Sequence, residues 1–321
     1  MPRMQRVLCL TMNPSVDLAT DTPRVRPTHK LRCSDALHDA GGGGINVARV
    51  VTRLGGVCAS VCPAGGPAGH WLEVRMAQDG LSNTTIPIEQ ETRVSFCVHE
   101  TDTGEEFRFV MPGPVIADSE WRACLEHIAQ LPEFPAYVVA SGSLPPGVPT
   151  DFYARLARLC REHGAKLVLD TSGPALAAAL AEGVYLWKPN LKELGELTGE
   201  RLDTPALWRA AALRCVHDGR AEVVALTMGH LGALLVTKDG CWNAPPLEIP
   251  VASAVGAGDS FVGGLVWGLQ RGLPLPEAFA WGVAAGSAAL MSVTTGLSRR
   301  EDAQQLHPRV RLSFSTVPPR D

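Results

Sequence analysis

Val255-Gly256-Ala257-Gly258-Asp259-Ser260 sets two glycines and an acid ahead of an apolar stretch, Phe261 to Trp267, whose pattern predicts a buried helix. Glycines at a helix start leave consecutive backbone N–H groups uncovered. With the helix dipole they make a site for an anion, typically a phosphate or a charge developing on one. A carboxylate beside such a site opposes an anionic ligand, so Asp259 is out of place if binding is the only task. It is in place where a hydroxyl must give up a proton as it attacks phosphorus. The plainer alternative is an aspartate N-cap after a glycine turn. The preceding segment, Ala244 to Ala254, is proline-rich and leans towards β structure.

Three further groups carry chemistry. Gly41-Gly42-Gly43-Gly44-Ile45-Asn46-Val47-Ala48 is a glycine turn feeding a helix. The glycines let backbone approach a ligand, and Asn46 offers an amide suited to sugar hydroxyls. The glycine spacing is not that of a dinucleotide fingerprint, and with no Gly-Lys dipeptide in the chain it is not a Walker A loop. A flexible linker is the alternative, which the immediate helix start disfavours. Lys188-Pro189-Asn190-Leu191-Lys192-Glu193 projects Asn190 and Glu193 from one face of a helix start, where they could hold hydrated Mg²⁺ beside nucleotide phosphates. A capping arrangement with solvated charges accounts for them equally well. Lys30 and Arg32, two apart in a segment expected to be extended, join Arg93 and Arg108 as a candidate phosphate clamp. A solvated basic face is the alternative. Asp17, just past Asn13-Pro14-Ser15, could accept hydrogen bonds from sugar hydroxyls or serve as a turn residue.

The elements that must position these groups follow from hydrophobic periodicity. Strands are expected at Val7 to Thr11, Val57 to Pro63, Tyr137 to Ser141, Lys166 to Asp170, Val184 to Trp187, Glu222 to Thr227 and Ala233 to Thr237. Helices are expected at Ile45 to Leu54, Asp118 to Gln130, Asp151 to His163 and Pro205 to Asp218. The alternation implies a three-layer α/β/α domain with a mostly parallel central sheet. Leu18 to Leu37 and Thr92 to Met111 are polar and alternating, with a hairpin turn at Thr101-Asp102-Thr103-Gly104. They read as insertions forming a small antiparallel sheet, a lid over a site on the main sheet. One domain is expected over residues 1–306, and residues 307–321, with Pro318-Pro319, as a poorly ordered tail.

Composition narrows the function classes. The 321 residues are 45% hydrophobic and 19% charged with net charge −4, which argues against general binding to nucleic acid or to anionic membranes. No apolar run approaches the ~20 residues needed to span a bilayer. The basic start, with its apolar run ended by Asn13-Pro14, reads as a first strand rather than a signal peptide. None of the nine cysteines forms a Cys-x-x-Cys pair and most lie in apolar patterns, so reduced core thiols and a cytoplasmic location are expected, without a zinc site.

Thr11-Met12-Asn13-Pro14-Ser15-Val16-Asp17, the Gly41 to Arg49 block, Ser141-Gly142-Ser143-Leu144-Pro145-Pro146-Gly147, Lys188 to Glu193 and Val255 to Ser260 occur in the order and spacing of one family. The chain resembles the ribokinase-like, phosphofructokinase B family of carbohydrate kinases over all but the C-terminal tail. Lys30-Leu31-Arg32-Cys33, the four glycines with no lysine among them, and Arg108-Phe109-Val110-Met111-Pro112-Gly113 look most like its 6-phosphofructokinase branch. That branch transfers phosphate from ATP to the C1 hydroxyl of fructose 6-phosphate, giving fructose 1,6-bisphosphate. Rival readings are a 1-phosphofructokinase, a tagatose-6-phosphate kinase, and, outside the enzymes, a silent sugar-phosphate sensor, which would be free to lose the intact Asp259, Gly256, Gly258 and Glu193.

The resemblance implies roles residue by residue. Asp259 is the base, with the amides of Gly256, Ala257 and Gly258 as anion hole. Asp17, Gly42, Gly43, Asn46 and Ser141 bind the sugar, and Lys30, Arg32 and Arg93 its phosphate. Lys188, Asn190, Thr227, Gly229, Gly232, Val283 and Ser287 serve ATP, with Glu193 organising Mg²⁺ through water. Main-chain oxygens near Ser253, Val255, Ala289 and Ser292 imply a monovalent cation, K⁺. Lid-to-lid homodimerisation is also implied. Thr227-Met228 departs from the commoner Ser-Leu, and Ser292-Val293-Thr294-Thr295 lacks the glycine expected near Thr294.

Overall fold

The computed structural model describes residues 4–292 and 296–316. In chain order, β1 (Val7–Leu10) leads into β2 (Ser15–Thr22) and β3 (Leu37–Gly41), followed by α1 (Gly43–Arg53), β4 (Cys58–Ala64), α2 (Gly66–Gln78) and β5 (Ser82–Pro87). Next come β6 (Arg93–Glu100), β7 (Glu106–Phe109), α3 (Asp118–Ala129), β8 (Tyr137–Ser141), α4 (Phe152–Glu162) and β9 (Lys166–Asp170). The third stretch holds α5 (Gly173–Glu182), β10 (Val184–Trp187), α6 (Leu191–Thr198), α7 (Pro205–His217), β11 (Ala221–Thr227), β12 (Ala233–Thr237) and β13 (Gly240–Ala244). Helices α8 (Ala257–Gln270), α9 (Leu275–Leu290) and α10 (Arg300–Leu306) precede β14 (Ser313–Thr316).

Ten strands form the central sheet in the order β14-β13-β12-β11-β10-β9-β8-β1-β4-β5. The run from β11 to β5 is parallel throughout, and β12, β13 and β14 are added antiparallel. Alternation along β1 explains the three layers. Val7 and Cys9 enter one core, with residues of α1, α8 and α9, while Leu8 and Leu10 enter the other, with residues of α3, α4 and α7. Strands buried on both faces read as near-continuous apolar runs, as β1 does throughout and β8 does up to Ser141 at its end.

Helix α8 is buried from Ser260 to Gln270, as its apolar sequence requires, and packs on α9 and α1. Gly263 lies so close to Val50 that a side chain there would meet its Cβ at 2.6 Å. The nine cysteines are free, and eight are buried; the exception is Cys33.

The lid is a four-stranded sheet, β3-β2-β6-β7. It is mixed rather than wholly antiparallel, because β2 pairs with β6 in parallel over eight residues. The turn expected at residues 101–104 joins β6 to β7. The strand reading of Leu18 to Leu37 holds only to Thr22. Residues 23–36 run as a largely exposed loop without strand pairing, since both neighbours of β2 are already taken by β3 and β6.

Two other expectations are corrected. Beyond Ala244 the proline-rich segment carries no strand, because Pro245, Pro246 and Pro250 have no N–H to donate to a ladder. Residues 307–316 are not a loose tail. After a 3₁₀ turn at His307–Arg309, β14 pairs with β13 and Phe314 packs on Trp242, ring centroids 4.7 Å apart. The glycine-poor 293–295 stretch and residues 317–321 lie outside the described residues.

Candidate active site

In an open parallel sheet the C-terminal strand ends converge on one crevice. Here β8, β9, β10 and β11 lie side by side, and their ends bring Ser141, Asp170, Lys188 and Thr227 to one edge. Backbone bonds knit these ends together: Gly142 N–H to Asp170 O at 2.9 Å, Lys188 N–H to Leu169 O at 3.0 Å and Thr227 N–H to Pro189 O at 2.9 Å. The Lys188 ammonium sits 3.1 Å from the Asp170 carboxylate, both almost fully buried. Burial opposes its charge, but Asp170, Glu193 and Asp259 outweigh that and hold its pKa above the ordinary value.

Gly256 caps α8 with φ of 72°, a left-handed conformation that favours glycine. Asp259 follows in the first turn, and Asn46 Nδ2 donates to its Oδ2 at 2.8 Å. Burial, reinforced by Asp170, pushes the Asp259 carboxyl up to about 7; the Asn46 hydrogen bond, Lys188 and Arg108 pull the other way. A side chain at Gly258 would come within 3.3 Å of Lys188 Nζ, so the buried ammonium faces the opening turn of α8.

The tetraglycine turn is explained by close approach. A Cβ at Gly41 would fall 2.1 Å from the Asp17 carboxylate, and one at Gly43 would fall 2.2 Å from Ser141 Oγ. The turn is thus pressed between the sugar-site candidates from β2 and β8. Burial raises the Asp17 pKa, while Ser15 Oγ–H donating to it, Arg93 and Arg108 act to lower it.

These groups enclose a cavity of about 170 Å³ lined by Asp17, Gly42, Gly43, Asn46, Arg93, Val255 and Asp259, with Arg108 and Cys97 from the lid. A larger opening of about 400 Å³ is lined by Arg53, Ser292, Leu297 and Arg300, among others, and touches none of the groups that converge on this cavity. Eight of the sequence candidates therefore meet in one cavity, with Ser141 packed behind Gly43. Lys30 and Arg32 do not: both are exposed on the 23–36 loop. Arg93 lines the cavity but also donates to the carbonyls of Asn13, Pro14 and Met111. Arg108, one of the four candidate cations but not among those the resemblance assigns to the phosphate, reaches the cavity from β7. Asp170 was missed: the stretch Lys166 to Asp170 reads only as a strand, and the acid that closes it becomes a site candidate once β9 lies between β8 and β10.

On the nucleotide side, Asn190 and Glu193 form a capping box: Glu193 N–H donates to Asn190 Oδ1 and Asn190 N–H to Glu193 Oε2, each at 2.9 Å. The capping alternative thus describes the local geometry, yet burial still raises the Glu193 pKa, with Lys188 and Asp170 as charged neighbours. No group of three or more His, Cys, Asp or Glu side chains forms a metal cage among the described residues. Mg²⁺ that keeps most of its water needs only one or two carboxylates, and Glu193 beside Asp170 fits that need. Asn190 and Thr227 form a β-bridge, which brings the turn containing Gly229 and Gly232 against the Lys188 segment. Val283 and Ser287 are one turn apart on α9. The segments carrying Ser253, Val255, Ala289 and Ser292 are joined by the Ala252 N–H to Leu290 O bond at 2.7 Å, and Ser253 and Ser292 are buried. Adjacent chain turns offering main-chain oxygens fit a monovalent cation in type.

A ribokinase-like fold brings together a carboxyl raised towards neutrality in the first turn of a helix and arginines on a small sheet above it. Residues 9–302 match the pfkB family carbohydrate kinase model, and the chain belongs to that family. It is 42% identical to the ATP-dependent 6-phosphofructokinase isozyme 2 of Mycobacterium tuberculosis over 300 residues, 94% of this chain and 88% of that one. It is 33% identical to the 1-phosphofructokinase of Bacillus subtilis, over 96% of this chain and 99% of the relative. The crystal structure of phosphofructokinase-2 from Escherichia coli in complex with potassium superposes with TM-score 0.92 at 40% identity, covering 95% of this chain and 99% of that one. The same E. coli protein in complex with fructose-6-phosphate gives 0.90. No helix among the described residues is long and apolar enough to cross a membrane.

Proposed function

We propose that this chain is an ATP-dependent 6-phosphofructokinase, making fructose 1,6-bisphosphate from fructose 6-phosphate. The observation that carries the reading is the cavity's polarity. Asp259, held by Asn46, faces the anion hole, and Arg93 and Arg108 enter from the lid. A C6 phosphate and a C1 hydroxyl lie at opposite ends of fructose 6-phosphate, as that layout requires. Lys30 and Arg32, which stand outside the cavity, join the phosphate clamp only when the exposed 23–36 loop folds over it.

In the reaction the C1 oxygen bonds to the γ-phosphorus while the bond from that phosphorus to the β–γ bridging oxygen breaks, and ADP leaves. Asp259 takes the hydroxyl proton. With its carboxyl poised near 7, it is ionised in a large share of molecules at neutral pH and remains a competent base. The amides of Gly256 to Asp259 and the Lys188 ammonium face the charge developing on the transferred group. Asp17 and Asn46 orient the sugar hydroxyls, with Gly42, Gly43 and Ser141 shaping the wall. Mg²⁺, when bound beside Glu193, supplies charge neutralisation to the ATP phosphates, and K⁺ at the 253–255 and 289–292 segments is the proposed second ion.

Coupled ADP-release assays over a panel of sugar phosphates test the reading. The expected result is a kcat/KM for fructose 6-phosphate above those for fructose 1-phosphate and tagatose 6-phosphate. The reverse order would make the chain a 1-phosphofructokinase or tagatose-6-phosphate kinase, and no turnover with any of them would leave a sensor.

A lid-to-lid homodimer is the proposed assembly. Phe96 and Phe109 stack at 4.6 Å on the lid at the rim of the cavity they help to line and are 37% and 41% exposed, beside exposed Val94. Apolar surface of this kind on a sheet is covered in a stable assembly.

A further inference from the structure

The four residues of β7 present alternate side chains to one side, so Glu106 and Arg108 share a face. Arg108 lines the sugar cavity. Glu106 leaves the lid altogether: the Ser253 hydroxyl, 147 positions further along the chain, donates to its Oε2 at 3.0 Å. Ser253 is buried, and its Oγ also accepts from the Val255 N–H at 3.2 Å. Val255 lines the cavity and immediately precedes Gly256, the left-handed cap of α8. A hydrogen-bonded line therefore runs from a lid carboxylate, through one hydroxyl, to the peptide that enters the anion hole.

We infer that Glu106 is a positioning residue that couples the lid's grip on the sugar phosphate to the seating of the nucleotide phosphates. The inference rests on the kinase reading above. Two side chains about 7 Å apart on one paired strand cannot be placed independently. When Arg108 engages an anionic group on the sugar, β7 is held where Glu106 meets Ser253, and the 253–256 segment is held where its amides face the incoming phosphate. By linkage, a nucleotide that needs that segment ordered favours the same lid position. A merely structural Glu106, present to satisfy a buried hydroxyl, would affect stability and leave this coupling alone.

The experiment is calorimetric titration of the full chain with a non-hydrolysable ATP analogue and Mg²⁺, with and without saturating fructose 6-phosphate. The wild-type chain is expected to bind the analogue at least about fivefold tighter in the presence of the sugar. In Glu106→Ala that factor falls to within about twofold of unity, while Glu106→Gln, whose amide oxygen still accepts from Ser253, retains most of it. Ser253→Ala loses the factor to the same degree, and the double variant loses no more. Retention of the full factor in Glu106→Ala or in Ser253→Ala overturns the inference. If Glu106→Ala does not fold, Ser253→Ala alone carries the test. A wild-type chain that binds both ligands without mutual effect removes this inference only, whereas one that binds no sugar phosphate removes the functional reading and this inference with it.

Discussion

At the scale of single residues the site is built on charges held away from water. Asp259 is the clearest case, because its position near 7 has consequences for both activity and stability. The folded chain keeps this proton to a higher pH than the unfolded chain, whose carboxyl titrates near 3.8. Ionising Asp259 in the fold therefore costs stability. The cost is absent below the unfolded value and fully present above about 7. Asp259→Asn should raise the melting temperature by about 2–6 °C at pH 8, with the gain vanishing towards pH 4. The same substitution should lower kcat by about 10²–10⁴ with sugar binding nearly intact. A variant retaining half the wild-type kcat, or a melting difference independent of pH, would refute the assignment. In the wild type, kcat/KM should fall as pH drops through about 7, since the base is then protonated.

The two cavity arginines should separate. Arg108 meets the cavity without holding backbone, so Arg108→Ala should raise KM for the sugar phosphate about tenfold with little change in melting temperature. Arg93→Ala should raise KM and also lower the melting temperature, because the carbonyls of Asn13, Pro14 and Met111 lose their donors. Steady-state kinetics beside thermal melts distinguish the two patterns.

Among the elements, the turn into α1 tolerates least. Gly43→Ala places a methyl group well inside van der Waals contact with Ser141 Oγ, so either α1 or the end of β8 must move. A loss of about 1–3 kcal/mol of stability is expected, together with a raised sugar KM, readable from urea titration and kinetics. The glycine run announced this turn in the sequence, but not the reason for each glycine, which depends on Asp17 and Ser141 arriving from strands far apart in the chain. Strands buried on both faces, such as β1 and β8, were legible because they read as near-continuous apolar runs. Ser82–Pro87 and Ser313–Thr316 were not, since outer strands of mixed exposure carry no such pattern. Residues 23–36 show the opposite failure: polar alternation imitates a strand, but β2, from which the segment leaves, is already flanked by β3 and β6. Asp170 could be recognised only through sheet order, which brings β9 between β8 and β10.

For the whole molecule, the lid's exposed aromatic face predicts association. Light scattering of the wild-type chain at micromolar concentration should report a dimer. Phe96→Ser combined with Phe109→Ser should report monomers, and an unchanged mass would place the interface elsewhere.

The pairing of β14 with β13 has a separate consequence for handling the protein. Without its final strand, the sheet would end at β13 with one row of backbone N–H and C=O groups bare and the Trp242 ring deprived of Phe314. Such a border is a template on which another copy can add its own strand, so the short C-terminal strand acts as a guard against self-recognition. A chain truncated after Arg309 should keep the cavity residues in place and still precipitate or form large species on mild heating. The full chain at the same temperature should stay dispersed, a contrast that turbidity measurements would read directly.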